Sequence, residues 1–200
     1  MVKKMLHVGC GPQRKQGTTP GFAHGDWEEV RLDIDASVEP DVIGTMTDMA
    51  AVECGSIDAL FSSHNIEHLY PHEVPVALQE FHRVLQDDGY AVITCPDLQS
   101  VCALVAAGNL DEPAYTAPAG PISPIDILYG WRASMEKGNL YMAHRTGFTE
   151  KTLMKSLEDA GFKTVGVLCR PEHYDLWAIA FKKEKSEGEI RKIAALHFPS

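Results

Sequence analysis

The chain has 200 residues, of which 44% are hydrophobic, and carries a formal net charge of −10 with histidine neutral. That length suits one domain whose core is large enough to need no cross-links, and no apolar run approaches a membrane span. The acidic balance repels a phosphate backbone unless basic residues are concentrated somewhere, and the densest basic run, Lys182-Lys183-Glu184-Lys185, is diluted by acids and reads as a solvated strand end.

In chain order, residues 5–8 form a short apolar strand that stops at Gly9. This stretch is too short for a secretory hydrophobic region. Residues 30–34 alternate like a second strand, 41–44 give a short third, 57–61 a fourth and 90–94 a fifth. Continuous apolar runs of this length suit strands buried on both faces of a sheet. Residues 13–25 show no helical pattern. Residues 72–86 do, with Val74, Leu78, Phe81 and Leu85 on one face. Asp87-Asp88-Gly89 is expected to end that helix through a left-handed glycine. A second helix is predicted over 150–160, capped by Thr149 and stopped by Gly161. Strands at 165–168 and 176–181 follow, and 187–197 reads as a surface helix.

This alternation predicts an α/β fold with a Rossmann-like, doubly wound, mostly parallel sheet in a three-layer α/β/α sandwich. Ligands of such sheets bind beyond the carboxyl ends of the strands. One domain spanning 1–200 is expected. Within it, residues 111–147 are read as a partly helical lid over the site, because long Pro- and Gly-rich loops are usually functional or disordered. The cysteines, Cys10, Cys54, Cys95, Cys102 and Cys169, are odd in number and contain no Cys-x-x-Cys pair. Free thiols of a cytoplasmic protein are expected, rather than a disulfide framework or a structural zinc site.

Gly9-Cys10-Gly11 follows a strand, where glycines permit a tight turn and close approach of a ligand. Asp33 closes the second strand, where a carboxylate can accept hydrogen bonds from both hydroxyls of a ribose. Together they point to a cofactor containing adenosine. A dinucleotide site usually wants Gly-x-Gly-x-x-Gly and a helix N-terminus for its pyrophosphate. Arg14 stands at the third glycine position, so a NAD(P)-dependent oxidoreductase is the lesser alternative.

The stretches Leu6-His7-Val8-Gly9-Cys10-Gly11, Arg31-Leu32-Asp33-Ile34-Asp35, Thr47-Asp48-Met49, Ser62-Ser63-His64-Asn65-Ile66-Glu67-His68-Leu69 and Leu78-Gln79-Glu80-Phe81-His82-Arg83-Val84-Leu85 resemble the class I S-adenosylmethionine-dependent methyltransferases. The likeness is to the methyltransferase type 11 group and its small relatives. It implies S-adenosylmethionine as cofactor, S-adenosylhomocysteine as product and a small-molecule acceptor, with an antiparallel strand near the C-terminus. By the same resemblance, His7, Gly9, Cys10 and Gly11 form the cofactor loop and Asp33 grips the ribose. Ile34, Asp48 and Met49 border the adenine, and Ser63 and His64 lie near the sulfonium. His7 replaces a usual acid, and Gln13 a usual glycine, of the family's longer motif.

Methyl transfer depends mainly on alignment, and a base is needed only when the acceptor carries a proton. His64 and His144 are the catalytic candidates. His64, His68 and His72 have spacing that would align them on one helix for a metal, but Pro71 interrupts it, and no metal is expected. Neither nucleic acid nor membrane is expected as a partner. A non-catalytic cofactor-binding scaffold is the alternative of a different class.

Overall fold

The structure, a computed structural model, describes residues 2–199. Its strands are β1 (Lys3–Val8), β2 (Trp27–Asp33), β3 (Val42–Ile43), β4 (Ile57–Ser63), β5 (Leu85–Pro96), β6 (Tyr115–Ala117), β7 (Gly120–Ile122), β8 (Thr164–Arg170) and β9 (Asp175–Phe181). The helices are α1 (Pro20–Ala23), α2 (Val74–Val84), α3 (Leu98–Ala106), α4 (Pro124–Tyr129), α5 (Arg132–Met135), α6 (Glu150–Asp159) and α7 (Glu187–His197).

Seven strands make one sheet in the order β3-β2-β1-β4-β5-β9-β8. The pairs from β3 through β5 are parallel, and β9 runs antiparallel to both β5 and β8. The chain winds outward from β1 through β2 to β3, then returns to β4 on the other side of β1. That reversal is the switch point where open α/β sheets hold ligands. It brings the turn after Val8 beside the turn after Ser63, since Val8 pairs with Ser62.

Alternation along the strands feeds two cores. Leu6, Val8, Leu60, Ala91 and Ile93 face the first core, where α2 contributes Leu78 and Phe81, and α6 contributes Leu153 and Leu157. Met5, Ala59, Phe61, Val92 and Ile179 face the second, covered by Phe22 of α1 and by Ile190 and Ile193 of α7. Both faces are buried, which is why these strands read as continuous apolar runs. The last helix therefore covers the sheet, and its His197 is buried against Thr19 and Tyr90, at 2.6 and 2.9 Å. Among the described residues, no helix is long and apolar enough to cross a membrane.

Three expectations are corrected. The helix predicted over 72–86 ends at Val84, because Leu85 pairs with Ile57 as the first residue of β5. The register then shifts before Ala59 pairs with Tyr90. Gly89 is absent from the left-handed residues; a Cβ there would sit 3.1 Å from the Asp58 carbonyl oxygen, so close packing explains it. Residues 13–25, expected without helix, hold the short α1 and a 3₁₀ turn at Lys15–Gly17. Gly161 does end α6 in a left-handed conformation, and Thr149 caps its start.

Candidate active site

The turn after β1 carries Gly9 and Gly11 at φ +62° and +51°. A Cβ on Gly9 would come within 2.2 Å of Asn65 Oδ1, so the turn and the segment after β4 fit only with glycine at this position. Asn65 holds the junction by donating to the carbonyl oxygens of Val8 and Ser63, at 3.1 and 2.9 Å. No atom lies within 4 Å of where a Gly11 Cβ would point, so the backbone there is open to a ligand.

Asp33 closes β2 and is nearly buried. Its Oδ2 accepts from Gly11 N at 2.7 Å and its Oδ1 from Asp35 N at 2.9 Å. These amides fix the carboxylate and use about two of its roughly four lone-pair sites. The next side chain, Ile34, is 46% exposed, leaving an apolar surface beside the carboxylate. Asp48 is exposed, with Oδ1 accepting from Ala50 N at 3.2 Å. Met49 differs from its neighbour. Its side chain is buried in the first core, so only its backbone can border a ligand.

His7 and Cys10 support the turn from beneath. The imidazole of His7 is buried on the Phe61 side of β1, with Nδ1 2.9 Å from Glu29 Oε1. Burial draws its pKa below the ordinary histidine value, against the pull of Glu29. A carboxylate thus reaches this position from the neighbouring strand. Burial pushes the Cys10 thiol up to about 11, which suits packing rather than nucleophilic chemistry. All five cysteines are free.

Sequence reasoning missed Arg31. Its side chain is 1% exposed, yet it carries a fixed charge. It donates to the carbonyl oxygens of Gln13 (3.1 Å), Glu39 (2.8 Å), Val38 (3.2 Å) and Gly11 (2.5 Å). One guanidinium therefore ties the glycine turn to the 3₁₀ turn after Asp35.

Beyond Ser63, whose hydroxyl lies 2.7 Å from that of Thr94, His64 is left-handed at φ +53°. Its backbone N–H donates to Thr94 O at 2.9 Å, and its side chain is half exposed. His64 opens onto a cavity of about 500 Å³, with Glu67, His68, Ile127, Trp131 and His144 among its walls. Residues 111–147 supply much of that wall as a β6–β7 hairpin followed by α4 and α5. Ser123 and Asp126 form a capping box on α4, and Arg132 joins Asp126 at 2.8 Å. Gly130, at φ +98°, pairs with Ala143, where a Cβ would strike the Met142 carbonyl oxygen at 1.9 Å. The segment is thus fixed back onto the core, and Arg145 N completes the tie by donating to Glu67 O at 2.8 Å.

The histidines do not align along one helix. Ile66–His68 is a single 3₁₀ turn, and α2 begins only at Val74. Instead, His68 meets His144, with ring centroids 4.9 Å apart. Beside them lies Glu67, 1% exposed. Its two carboxylate oxygens have no hydrogen-bond partner among the described residues, the nearest basic nitrogen being His64 Nδ1 at 3.5 Å. Burial pushes the Glu67 carboxyl up, but His64, with His68 and His144, outweighs it and holds the group below the usual carboxylate range.

Residues 6–93 match a family model described as a methyltransferase domain. Among solved structures, the chain is similar to the Burkholderia thailandensis 1,6-didemethyltoxoflavin-N1-methyltransferase, solved with 1,6-didemethyltoxoflavin and S-adenosylhomocysteine bound (18% identity, TM-score 0.56, 90% of this chain and 71% of that one). It is also similar to an Archaeoglobus fulgidus SAM-dependent methyltransferase (16% identity, TM-score 0.57, 89% and 85%). A third likeness is to the citrinin polyketide synthase CMeT domain (12% identity, TM-score 0.56, 92% of this chain), of which the chain spans only 47%. No curated protein sequence matches the chain. At these identities the structural likenesses establish a shared fold.

Proposed function

We propose that this chain, whose residues 6–93 match a methyltransferase-domain family model, is a class I methyltransferase that transfers a methyl group from S-adenosylmethionine to a small-molecule acceptor held in the cavity beside His64. The observation that carries the reading is the carboxylate of Asp33, fixed by two amides at the switch point between an open glycine turn and an exposed Ile34. These residues fit an adenosine moiety: the carboxylate keeps lone pairs for a ribose diol, and Ile34 offers a face for a purine. Gly9 and Gly11 would hold the amino-acid and ribose portions through backbone alone, and Asp48 would accept from the exocyclic amine. When bound, S-adenosylmethionine supplies a methyl group already activated by its sulfonium.

The protein's own contribution is positioning. Asn65 and Arg31 fix the glycine turn, while residues 111–147 act as a lid that excludes water and presents the acceptor. Alignment of this kind can contribute several kcal/mol, on the order of 7–11 in well-oriented systems. His64 is the side chain shared by the cofactor residues and the cavity. There it accepts the acceptor's proton where one must be lost, and His144 orients the acceptor from the lid side.

The reading is tested by incubating the chain with S-adenosylmethionine labelled on its methyl group and a panel of small nucleophiles. Label should move to an acceptor in the wild type and not in Asp33→Ala. Cofactor binding with no transfer across N, O, S and C nucleophiles would favour the scaffold reading.

A further inference from the structure

We infer that Glu67, His68 and His144 form a binding site for a divalent transition-metal cation in the wall of the acceptor cavity. One ligand-capable atom from each residue lies within 4.8 Å of the others, a span that small side-chain adjustments would close around one ion. The set is one carboxylate and two imidazoles, which suits zinc, manganese, cobalt or iron(II) rather than the oxygen-seeking magnesium and calcium.

Two independent features point to a ligand. The first is Glu67, buried, with neither carboxylate oxygen hydrogen-bonded among the described residues and only Oε1 within 4 Å of a basic nitrogen, His64 Nδ1 at 3.5 Å. Buried carboxylates are normally paired, hydrogen-bonded or bound to a metal. The second is the orientation of the imidazoles. His68 Nδ1 lies 3.2 Å from the Ala143 carbonyl oxygen and His144 Nδ1 lies 2.7 Å from that of Ile127. A carbonyl only accepts, so each Nδ1 is the donor there, which leaves each Nε2 as the ring nitrogen not committed to the backbone. Metal-binding histidines are held in this way by their second nitrogen.

The backbone keeps the three residues together. Arg145 and Thr146 donate their amides to Glu67 O at 2.8 and 3.2 Å, and Arg145 Nη1 reaches His68 O at 3.2 Å. His144 N bonds Tyr129 O at 3.1 Å. The site is therefore built from the turn after β4 and the returning end of the lid segment. All three residues line the cavity, so a cation here would face an acceptor through its open coordination positions. An acceptor bearing oxygen or nitrogen donors is the chemical class it would hold. This last role rests on the methyltransferase reading, whereas cation binding does not.

The test uses the full chain without an affinity tag, stripped with EDTA and titrated with cobalt(II) by visible absorption and calorimetry. One cobalt per chain is expected, with ligand-field bands of an imidazole–carboxylate site. Glu67→Gln and His144→Ala should each weaken binding by more than the roughly 10- to 100-fold that loss of an outer-shell partner costs. His173→Ala, in the same cavity but outside the cluster, should bind cobalt as the wild type does. His144→Ala lies in the lid, so it keeps the test open should Glu67→Gln fail to fold. No cobalt uptake by the wild type, or uptake unchanged in both cluster variants, overturns the site. S-adenosylhomocysteine affinity is measured on the same samples. Its retention without cobalt uptake refutes the metal site alone, and its absence refutes the methyltransferase reading.

Discussion

Replacing Asp33 should weaken S-adenosylhomocysteine binding by about 2–4 kcal/mol. The structure leaves roughly two lone-pair sites on this carboxylate after Gly11 N and Asp35 N are served. Hydrogen bonds to a charged group contribute about 1.5–3 kcal/mol each, so two ribose hydroxyls, discounted for competing water, give that range. At about 1.36 kcal/mol per tenfold, the loss is roughly 30- to 1000-fold in affinity. Asp33→Ala also frees the Gly11 amide, so part of its effect is a looser turn. Asp33→Asn separates the two: it keeps the shape, loses the charge, and turns a donor toward one of the two amides. Calorimetric titration at fixed pH should rank wild type above Asn above Ala. Affinity within threefold of wild type in the alanine variant, with the fold intact, would refute the ribose assignment.

Three further outcomes follow from the support beneath the site. Arg31→Met should lower stability by about 3–5 kcal/mol, since it strips a buried cation from four carbonyl oxygens; urea unfolding with a loss under 1 kcal/mol would contradict the role given to this residue. Gly9→Ala should cost on the order of 2 kcal/mol or more, from a left-handed alanine pressed on Asn65, and an unchanged midpoint would show that Asn65 moves aside freely. Burial draws His197 down to about 4 from 6.5. A depressed histidine means the unfolded chain takes up the proton first, so its stabilising effect is full above about pH 6.5 and is lost as pH falls toward 4. The shift corresponds to about 3 kcal/mol. Acid unfolding of His197→Phe should lack that component, and parallel pH–stability curves for the two proteins would dispose of it.

The strands and the doubly wound, mostly parallel sheet were legible because both faces of the sheet are buried, and burial writes itself as apolar runs. Gly9, Gly11 and Asp33 were legible because backbone freedom and a strand-end acid leave local marks. Leu85 was misread since a residue ending a helical stripe and one starting a buried strand look alike. Arg31 and Glu67 escaped for another reason. A buried charge is defined by partners from separate loops, and no local pattern announces that four carbonyls converge on one guanidinium. The meeting of His68 with His144 depends on how residues 111–147 return to the core, which composition alone does not fix. Met49 carries the same lesson in reverse: its motif places it near the adenine, but its side chain is core.

The central claim, an adenosine-bearing methyl donor at the switch point, is met most directly by thermal unfolding with added cofactor. S-adenosylhomocysteine at about 100 times its dissociation constant should stabilise the chain by roughly 2.7 kcal/mol. For a chain of this size that raises Tm by about 5–11 °C, at some 2–4 °C per kcal/mol, with no shift from NAD. A clear shift with NAD and none with S-adenosylmethionine or S-adenosylhomocysteine would contradict it.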